Sequence, residues 1–284
     1  MSKKITNLLK NKTVLITGGA GSIGTAITTK LLEFPVKSVR IFDNNEYSLF
    51  KLKRTINDPR LKLLLGSILD KERIDMAGQN VDIIIHAAAV KNIEITEFNA
   101  IDTIDINVNG TVNMVKMAIK NKPEKFINIS TDKVAETSTL YGTTKMLGER
   151  VTSWAGIHLL PTKFASIRFG NVIETKGNVF EVWEEEAKNK KPISITHPKM
   201  KRYFWHIDEA VDFVINSMIE MKQGEIFVPK MKNYNIKELA SKISKKQKII
   251  GLRPGEKFEE ILITDVEKEN AVERKNMWII KPKY

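Results

Sequence analysis

A glycine-rich turn lies directly between a short apolar run and a helical stretch near the start of the chain. Residues 17–24 are TGGAGSIG, preceded by the strand-like run 13–17 and followed by a helical pattern over 22–33. In this context the glycines allow a tight turn and a close approach of the backbone to a pyrophosphate, and the helix N-terminus favours anions. We expect a dinucleotide to be bound by the residues of this turn, namely Gly18, Ala20, Gly21, Ser22, Ile23 and Gly24. The alternative is a glycine-rich turn without a ligand.

The first two thirds of the chain alternate strand-like runs with amphipathic stretches. Further strands are predicted at 39–42, 61–65, 81–86, 125–129 and 164–168, and helices at 47–56, 101–120 and 141–153. This alternation is typical of a parallel sheet covered by helices on both faces. The sequence therefore predicts an α/β fold with a doubly wound parallel sheet.

The pattern loosens after residue 172. Segments 174–205 and 230–265 contain more Pro and Gly, whereas 208–221 is a clear amphipathic helix and 225–228 a strand. We expect residues 1–172, together with about 206–229, to form the dinucleotide-binding domain. Residues 173–205 and 230–284 are expected to form a smaller substrate-binding lobe that closes a cleft.

Composition excludes several classes of protein. The 284 residues contain no Cys, which excludes disulfides, thiolate metal sites and cysteine nucleophiles, and we predict no metal site. The net charge of +12 comes from 37 Lys and 9 Arg spread along the chain. The lysine runs at 188–191 and 245–248 lack interleaved aromatics, which favours a solvated surface over nucleic-acid binding. The sequence shows neither a secretory signal nor a membrane-spanning stretch, so we expect a cytoplasmic protein without a membrane partner.

A carboxylate follows the second predicted strand. Asp43 lies about 20 residues after the glycine turn, where an acidic side chain accepts hydrogen bonds from the ribose hydroxyls and repels a 2′-phosphate. Together with Asn44 it favours NAD as the cofactor. NADP is the alternative, since Lys51, Lys53 and Arg54 follow closely.

The residues after the fifth predicted strand suggest proton chemistry. Tyr141 and Lys145 are four residues apart and share one face of a helix. A lysine charge there is expected to lower the pKa of the phenol so that it can accept a hydroxyl proton. Thr131, ten residues upstream, is expected to hold that hydroxyl.

Several longer stretches carry a family resemblance. They are HAAAVKNIEITEFN (86–99), INVNGT (106–111), STDKV (130–134), YGTTKMLGE (141–149), RFGNV (168–172), KMKRYFWHIDEA (199–210) and LRPGEKFEE (252–260). With the glycine turn, they resemble the extended short-chain dehydrogenases/reductases. Within that superfamily the chain resembles the nucleotide-sugar 4,6-dehydratases that act on UDP-N-acetylglucosamine in polysaccharide and flagellar sugar biosynthesis.

The resemblance implies a reaction and its acid–base residues. The sugar is oxidised at C4, water is eliminated across C5 and C6, and the cofactor is regenerated as C6 is reduced. Lys133 is implied as the base at C5 and Asp132 as the acid toward the C6 hydroxyl, with Thr131, Tyr141 and Lys145 completing the catalytic set. For Lys133 to act as a base, we expect burial or a positive neighbour to lower its pKa.

The resemblance also implies the binding residues. The cofactor set gains Ser67, Ile68, Ala87, Ala88, Lys91, Asn107 and Val172, in addition to Tyr141 and Lys145. The substrate set is Lys91, Thr131, Asn171, Arg202, Arg253 and Glu256. The arginines suit a diphosphate and Glu256 a ribose hydroxyl. His86 is expected to be a buried structural histidine. The substrate is a UDP-sugar, and a homo-oligomer, dimer or hexamer, is expected.

One departure from the family pattern follows the third predicted strand. Relatives usually have Gly-Asp after the third strand, with the Asp at adenine, whereas this chain has Gly66 and Ser67. Either Asp70 or the backbone of Ser67 and Ile68 takes that contact.

Two other functions stay open. A UDP-sugar 4-epimerase shares the fold and the Tyr–Lys pair but needs no acid–base pair at C5 and C6. A non-catalytic dinucleotide-sensing protein would not need Thr131, Tyr141 and Lys145 together. Inversion or retention at C5 is also open.

Overall fold

The computed structural model describes residues 3–253 and 255–283. Within them the chain forms fourteen strands: β1 (Thr13–Thr17), β2 (Ser38–Asp43), β3 (Leu61–Leu65), β4 (Ile83–His86), β5 (Lys125–Ile129), β6 (Lys163–Ile167), β7 (Asn171–Val172), β8 (Ile193–Ile195), β9 (Lys201–Trp205), β10 (Glu225–Pro229), β11 (Asn233–Asn235), β12 (Gln247–Ile249), β13 (Ala271–Glu273) and β14 (Met277–Ile280). The α-helices are α1 (Lys3–Leu9), α2 (Ser22–Leu32), α3 (Glu46–Thr55), α4 (Lys71–Gly78), α5 (Ile93–Phe98), α6 (Ala100–Ile104), α7 (Gly110–Asn121), α8 (Leu140–His158), α9 (Val179–Lys188), α10 (Ile207–Glu220), α11 (Ile236–Ile243) and α12 (Asp265–Lys268).

Nine strands form one large sheet in the order β13-β14-β10-β6-β5-β4-β1-β2-β3. The seven strands from β10 to β3 are parallel, and β14 and β13 extend the sheet in antiparallel pairing. Every residue of β1 and β5 is buried, because helices cover both faces of the sheet. The predicted doubly wound parallel sheet is confirmed.

The strand order reverses between β1 and β4. Chain connections leave these neighbouring strands toward opposite sides, which opens a crevice at their carboxyl ends. The glycine turn follows β1 and the segment 87–91 follows β4, so both come to this crevice. The topology thus places the predicted binding residues at one edge of the sheet.

A smaller apolar core lies outside the large sheet. It consists of Trp183, Ile193, Ile195, Met200, Phe204, Ile236 and Ala240, contributed by α9, β8, β9, α11 and the residue before β9. Two small sheets accompany it, β11-β9-β7 and β12-β8. The sequence assigns the residues of β13 and β14 to the smaller lobe, but both strands belong to the large sheet, where β14 pairs with β10 and β13 pairs with β14. The division into two domains stays a prediction.

The predicted long helix over 101–120 is interrupted. It consists of α6, a π-helical turn at Asp105–Asn109, and α7. π-Turns of this kind occur often at functional sites, where they redirect a side chain. Here the turn contains Asn107, one of the predicted binding residues.

Within residues 3–253 and 255–283, no helix combines the length and the apolar character needed to cross a membrane.

Candidate active site

The glycine turn after β1 brings backbone close to backbone. Gly18 has φ +64°, and a Cβ there would lie 2.7 Å from Cα of Ala88. A Cβ on Gly24 would lie 2.5 Å from Cα of Gly19, so the start of α2 packs directly on the turn. The N-cap of α2 is Gly21, which has no side chain to cap the first amides. These N–H groups and the positive end of the helix dipole are available to a phosphate.

A cavity of about 400 Å³ lies over this turn. The predicted cofactor residues that line it are Gly18, Ala20, Gly21, Ser22, Ile23, Gly24, Asp43, Asn44, Ser67, Ile68, Ala87, Ala88 and Lys91. The glycine cradle, the open helix terminus and the carboxylate after β2 fit the pyrophosphate and the ribose of a dinucleotide.

Asp43 is held at the edge of this cavity by two backbone amides. Its Oδ2 accepts from N–H of Ala20 at 3.0 Å and its Oδ1 from N–H of Asn45 at 2.9 Å. The three basic residues that could serve a 2′-phosphate do not line this cavity. They belong to α3, where Lys51 lies over the ring of Tyr47 and Arg54 over that of Phe50.

The two alternatives for the adenine contact after β3 differ in their position relative to the cavity. Asp70 is the N-cap of α4, where it accepts from N–H of Arg73 at 3.0 Å, and it does not line the cavity. Ser67 and Ile68 do line it. Gly66 is required because a Cβ there would lie 2.6 Å from the ring of Phe42.

A second cavity of about 730 Å³ adjoins the first. The predicted residues that line it are Ile23, Ala87, Lys91, Thr131, Lys133, Tyr141, Lys145, Asn171, Val172, Arg202, Arg253 and Glu256. Lys176 lines both cavities; its N–H donates to Oγ of Ser22 at 3.0 Å and its carbonyl accepts from Nζ of Lys91 at 3.1 Å. Burial lowers the pKa of Lys91.

Asp132 and Lys133 form a buried ion pair beside the second cavity. They lie in a 3-10 turn after β5, and Nζ of Lys133 donates to Oδ1 of Asp132 at 3.0 Å. Oγ1 of Thr131 donates to the same oxygen at 3.1 Å. Asp132 is fully buried behind the cavity wall.

The protonation of Lys133 differs from the expectation. Burial lowers the pKa of its ammonium, but the charges of Asp132 and then of Glu260 outweigh burial, and the pKa is raised above its ordinary value. Arg202 has a smaller, opposing effect. The expected lowering is therefore wrong, because the neighbours of this lysine are mainly anionic.

Tyr141 and Lys145 line the same cavity from α8. Burial raises the pKa of the Tyr141 phenol, which corrects the expectation that it is lowered. The cation that opposes this rise is Lys133, helped by a hydrogen bond with Thr131. Burial lowers the pKa of Lys145 to about 8, against the opposing charge of Glu149. Lys145 is thus easily deprotonated, whereas Lys133 is held as a cation.

Asn107 lies behind the cavity walls and binds the segment after β4. Its Oδ1 accepts from N–H of Val90 at 2.8 Å, and its Nδ2 donates to the Val90 carbonyl at 3.0 Å and to Oγ1 of Thr144 at 3.1 Å. It therefore fixes the strand end to α8 without lining either cavity.

His86 is a structural histidine, as predicted. Nδ1 pairs with the Thr17 hydroxyl at 2.7 Å and Nε2 with the Thr111 hydroxyl at 3.1 Å. Burial lowers its pKa to about 3, so the ring is neutral and tied between two elements.

The predicted substrate residues Asn171, Arg202, Arg253 and Glu256 all line the second cavity. Nδ2 of Asn171 donates to the Tyr203 carbonyl at 3.0 Å, and Nη1 of Arg202 donates to the Lys201 carbonyl at 2.8 Å. Nε of Arg253 lies 2.9 Å from Oε1 of Glu94 on α5. Oε2 of Glu256 accepts from N–H of Arg253 at 2.9 Å.

Sequence reasoning missed Glu260 and Lys176. Glu260 lines the second cavity and is 5% exposed. It belongs to the quoted stretch 252–260, but two consecutive Glu residues gave no signal to tell which one is buried. Lys176 lies in a loop that carries no motif.

Comparison with known proteins places the chain in a family. Residues 14–282 match the model of a family described as polysaccharide biosynthesis protein. The match spans nearly the whole chain, including the glycine turn, both cavities and the C-terminal strands.

Three relatives cover nearly the whole chain. An uncharacterized membrane protein of Methanocaldococcus jannaschii is 39% identical, over 99% of this chain and 89% of the relative. A UDP-N-acetylglucosamine 4,6-dehydratase (inverting) of Campylobacter jejuni is 33% identical, over 97% of this chain and 84% of the relative. A UDP-glucose 4-epimerase of Rickettsia bellii is 33% identical, over 95% of this chain and 83% of the relative.

A solved structure has the same architecture. The X-ray structure of Pen from Bacillus thuringiensis superimposes with a TM-score of 0.93 at 33% identity, over 97% of this chain and 90% of that chain. The motifs, the cavity geometry and these matches agree. The chain belongs to the polysaccharide biosynthesis protein family, within the extended short-chain dehydrogenases/reductases.

Proposed function

We propose that this protein is a nucleotide-sugar 4,6-dehydratase that converts UDP-N-acetylglucosamine into a UDP-4-keto-6-deoxy-hexose. The observation that carries the proposal is the 3.0 Å hydrogen bond between Asp132 and Lys133, because Lys133 lines the second cavity together with Tyr141 and Asp132 lies directly behind it. Oxidation and reduction at one carbon need a single proton acceptor. Elimination of water needs an additional acid and an additional base, and this pair supplies both.

The first cavity is proposed to hold NAD. The chemistry that a bound dinucleotide supplies is reversible hydride transfer, which oxidises C4 of the sugar and later reduces C6. Asp43 would accept hydrogen bonds from the ribose hydroxyls, and its negative charge would repel the 2′-phosphate of NADP. The placement of Lys51 and Arg54 over aromatic rings of α3 supports NAD further.

Tyr141 would take the proton of the C4 hydroxyl. The charge of Lys133 and a hydrogen bond with Thr131 favour its phenolate, against the effect of burial. The Thr131 hydroxyl would orient the substrate hydroxyl. Lys145 would bind ribose hydroxyls from the next turn of α8.

The ion pair would then carry out the elimination. A proton passes from the Lys133 ammonium to the Asp132 carboxylate along their hydrogen bond, leaving a neutral amine and a carboxylic acid. The amine takes the C5 proton, which the C4 ketone has made acidic, and the C6–O bond breaks. The acid protonates the departing oxygen, water leaves, and a C5–C6 double bond remains. The pair ends as ammonium and carboxylate, the form that the structure contains.

The second cavity would also bind the nucleoside diphosphate of the substrate. Arg202 and Arg253 both line it and can pair with phosphate oxygens, and Glu256 can accept from a ribose hydroxyl. Lys91 and Asn171 would lie at the junction of sugar and cofactor, since Lys91 lines both cavities.

A UDP-sugar 4-epimerase is the second candidate. Its supporting observation is that the Rickettsia bellii relative of that name is as similar in sequence as the Campylobacter jejuni dehydratase. An epimerase would use Tyr141 and the dinucleotide but would leave the Asp132–Lys133 pair without a chemical role.

One experiment separates the two candidates. Purified protein is incubated with UDP-N-acetylglucosamine in deuterated water, and the sugar is followed by NMR and mass spectrometry. A dehydratase gives loss of one water and deuterium at C5, and the coupling constants at C5 distinguish inversion from retention. An epimerase gives UDP-N-acetylgalactosamine without loss of mass. Lys133→Met should abolish water loss, whereas Lys120→Met, at a side chain that is 67% exposed and lines neither cavity, serves as the control.

We further infer a homo-oligomer. Phe98 of α5 is 92% exposed and Ile101 of α6 is 77% exposed. Apolar side chains this open to water on adjacent short helices support burial against a second copy. Light scattering of the purified protein and of Phe98→Ser tests the assembly: a monomeric wild type contradicts it.

A further inference from the structure

Glu260 is a buried carboxylate that the proposed chemistry does not use. Its side chain is 6% exposed, and Oε1 lies 4.0 Å from Nζ of Lys133. Within the described residues, Oε2 has no hydrogen-bond partner. A carboxylate that is kept out of water with a buried oxygen left unpaired is costly. Such a group needs a reason, and it lines the second cavity.

The local backbone explains why Glu260, and not its neighbour, is buried. Glu259 forms a parallel bridge with Lys201, and N–H of Lys201 donates to the Phe258 carbonyl at 2.8 Å. Extended backbone points successive side chains to opposite sides. Glu259 therefore faces solvent, with its side chain 50% exposed and 3.6 Å from Lys201, whereas Glu260 faces Lys133.

Lys133 thus lies between two carboxylates. Asp132 contacts Nζ at 3.0 Å from the same turn, and Glu260 lies at 4.0 Å on a distant part of the chain. The other charged or titratable groups that act on this site are Arg202 and the Tyr141 phenol. With Arg202 opposing them, the two anions dominate the field at the ammonium.

We propose that Glu260 is a positioning residue, which holds the Lys133 ammonium against the wall of the second cavity and keeps it charged until the sugar has been oxidised. This inference rests on the proposed function, because it acts through the acid–base pair assigned there. The charge of Lys133 favours the Tyr141 phenolate that takes the C4 hydroxyl proton. Glu260 therefore serves the first proton transfer, and Asp132 receives the Lys133 proton for the elimination.

The test compares Glu260→Gln with Glu259→Gln, the adjacent exposed glutamate. The first readout is independent of turnover: the titration of Lys133, followed by NMR of protein labelled with ¹³C at lysine Cε and assigned with Lys133→Arg. In the wild type the ¹³C signal of Lys133 Cε should keep the chemical shift of the ammonium form up to pH 10. In Glu260→Gln the midpoint should fall by about one unit or more, since an opposite charge at this distance has been removed. Glu259→Gln should match the wild type.

The second readout is turnover of UDP-N-acetylglucosamine as a function of pH. Glu260→Gln should lower kcat at least about tenfold and leave KM within about twofold, because Glu260 acts on Lys133 and not on the nucleotide. Glu260→Asp keeps the negative charge, so its Lys133 midpoint and its kcat should both lie between those of Glu260→Gln and the wild type. If Glu260→Gln does not fold, the Glu260→Asp and wild-type midpoints are compared, and a lower midpoint in Glu260→Asp supports the proposal.

The outcomes separate the two proposals. An unchanged Lys133 midpoint in folded Glu260→Gln overturns the positioning role, whatever the activity. A shifted midpoint in a protein that does not turn over UDP-N-acetylglucosamine upholds the role of Glu260 and overturns the proposed function.

Discussion

Glu149 and Arg168 form a bidentate ion pair in the protein interior. Oε1 of Glu149 accepts from Nε at 3.1 Å, and Oε2 accepts from Nη2 at 2.8 Å. Glu267 pairs with the same guanidinium at 2.9 and 2.7 Å, and the Leu262 carbonyl accepts from it at 2.9 Å. Arg168 thus joins the C-terminal segment to α8, through Glu149, which lies one helical turn after Lys145.

Removal of one carboxylate from this network should be costly. Glu149→Gln leaves the buried guanidinium with Glu267 as its one carboxylate partner among those described, and we expect the free energy of unfolding to fall by about 3 kcal/mol. Urea denaturation measures this. The control is Glu33→Gln, whose side chain is 43% exposed beside Lys30 and should change stability by less than about 1 kcal/mol. Equal losses in the two variants would argue against a special role for the Arg168 network.

The stability of the protein should depend on the charge of Lys145. Its pKa is about 8 in the folded chain and 10.5 ordinarily, so the unfolded chain binds more protons between these values. The free energy of unfolding of the wild type should therefore rise with pH. Measured against Lys145→Met, it should gain about 2 kcal/mol between pH 7 and pH 10. Denaturant titrations at the two pH values measure the difference. The control is Lys120→Met, at a side chain that is 67% exposed, whose stability relative to the wild type should not change with pH. If the stability difference between the wild type and Lys145→Met is the same at both pH values, the lowered pKa is contradicted.

The sequence was most informative where local pattern and local chemistry coincide. The strand run 13–17 and the glycine turn match β1 and the start of α2, because a fully buried strand and an open helix terminus need those residues whatever lies around them. The apolar run 61–65 matches β3, a partly exposed strand at the edge of the sheet. Similarly, Thr131, Tyr141 and Lys145 come to one cavity because parallel strands end at the same edge.

Features set by distant parts of the chain could not be predicted. The π-helical turn at Asp105–Asn109 is invisible in the apolar periodicity, since it depends on the contact of Asn107 with Val90. The pKa of Lys133 is raised by Asp132 and then by Glu260, and the inward position of Glu260 follows from the bridge between Lys201 and Glu259, which the sequence does not reveal. Helix α9 was missed because its apolar residues Phe180 and Trp183 pack into a small core built from separate segments.

Two glycines of α8 should respond differently to alanine. A Cβ on Gly142 would overlap the Lys133 carbonyl oxygen, whereas a Cβ on Gly148 would lie at an ordinary 3.5 Å from Nδ2 of Asn128. Gly142→Ala must push the Asp132–Lys133 turn away from α8, and we expect a loss of about 1–3 kcal/mol in stability and at least about 100-fold in the rate of water loss. Thermal unfolding and product mass measure these effects.

Gly148→Ala is the matched control in the same helix. It should keep the activity and can gain up to about 1 kcal/mol, because alanine is the better helix former. If Gly142→Ala is as active as Gly148→Ala, the position of the Asp132–Lys133 turn is not critical to the reaction.

The choice between NAD and NADP should depend on the charge of Asp43. Its carboxylate is fixed at the cavity edge by the amides of Ala20 and Asn45, so it cannot turn away from a 2′-phosphate. The wild type should bind NAD more tightly than NADP. Asp43→Asn keeps an acceptor oxygen but removes the repulsion. The ratio of the dissociation constant for NADP to that for NAD should therefore fall at least about fivefold. Calorimetric titration with each dinucleotide measures this ratio.

The opposite explanation, that basic residues of α3 serve a 2′-phosphate, makes a distinct prediction. The triple variant Lys51→Gln, Lys53→Gln, Arg54→Gln should leave the ratio unchanged if Asp43 decides it, because none of these side chains lines the cofactor cavity. A wild type that prefers NADP, and loses that preference in the triple variant, would assign the choice to α3. The two variants therefore separate repulsion by one fixed carboxylate from attraction by three cations of α3, with the same two ligands and the same measurement.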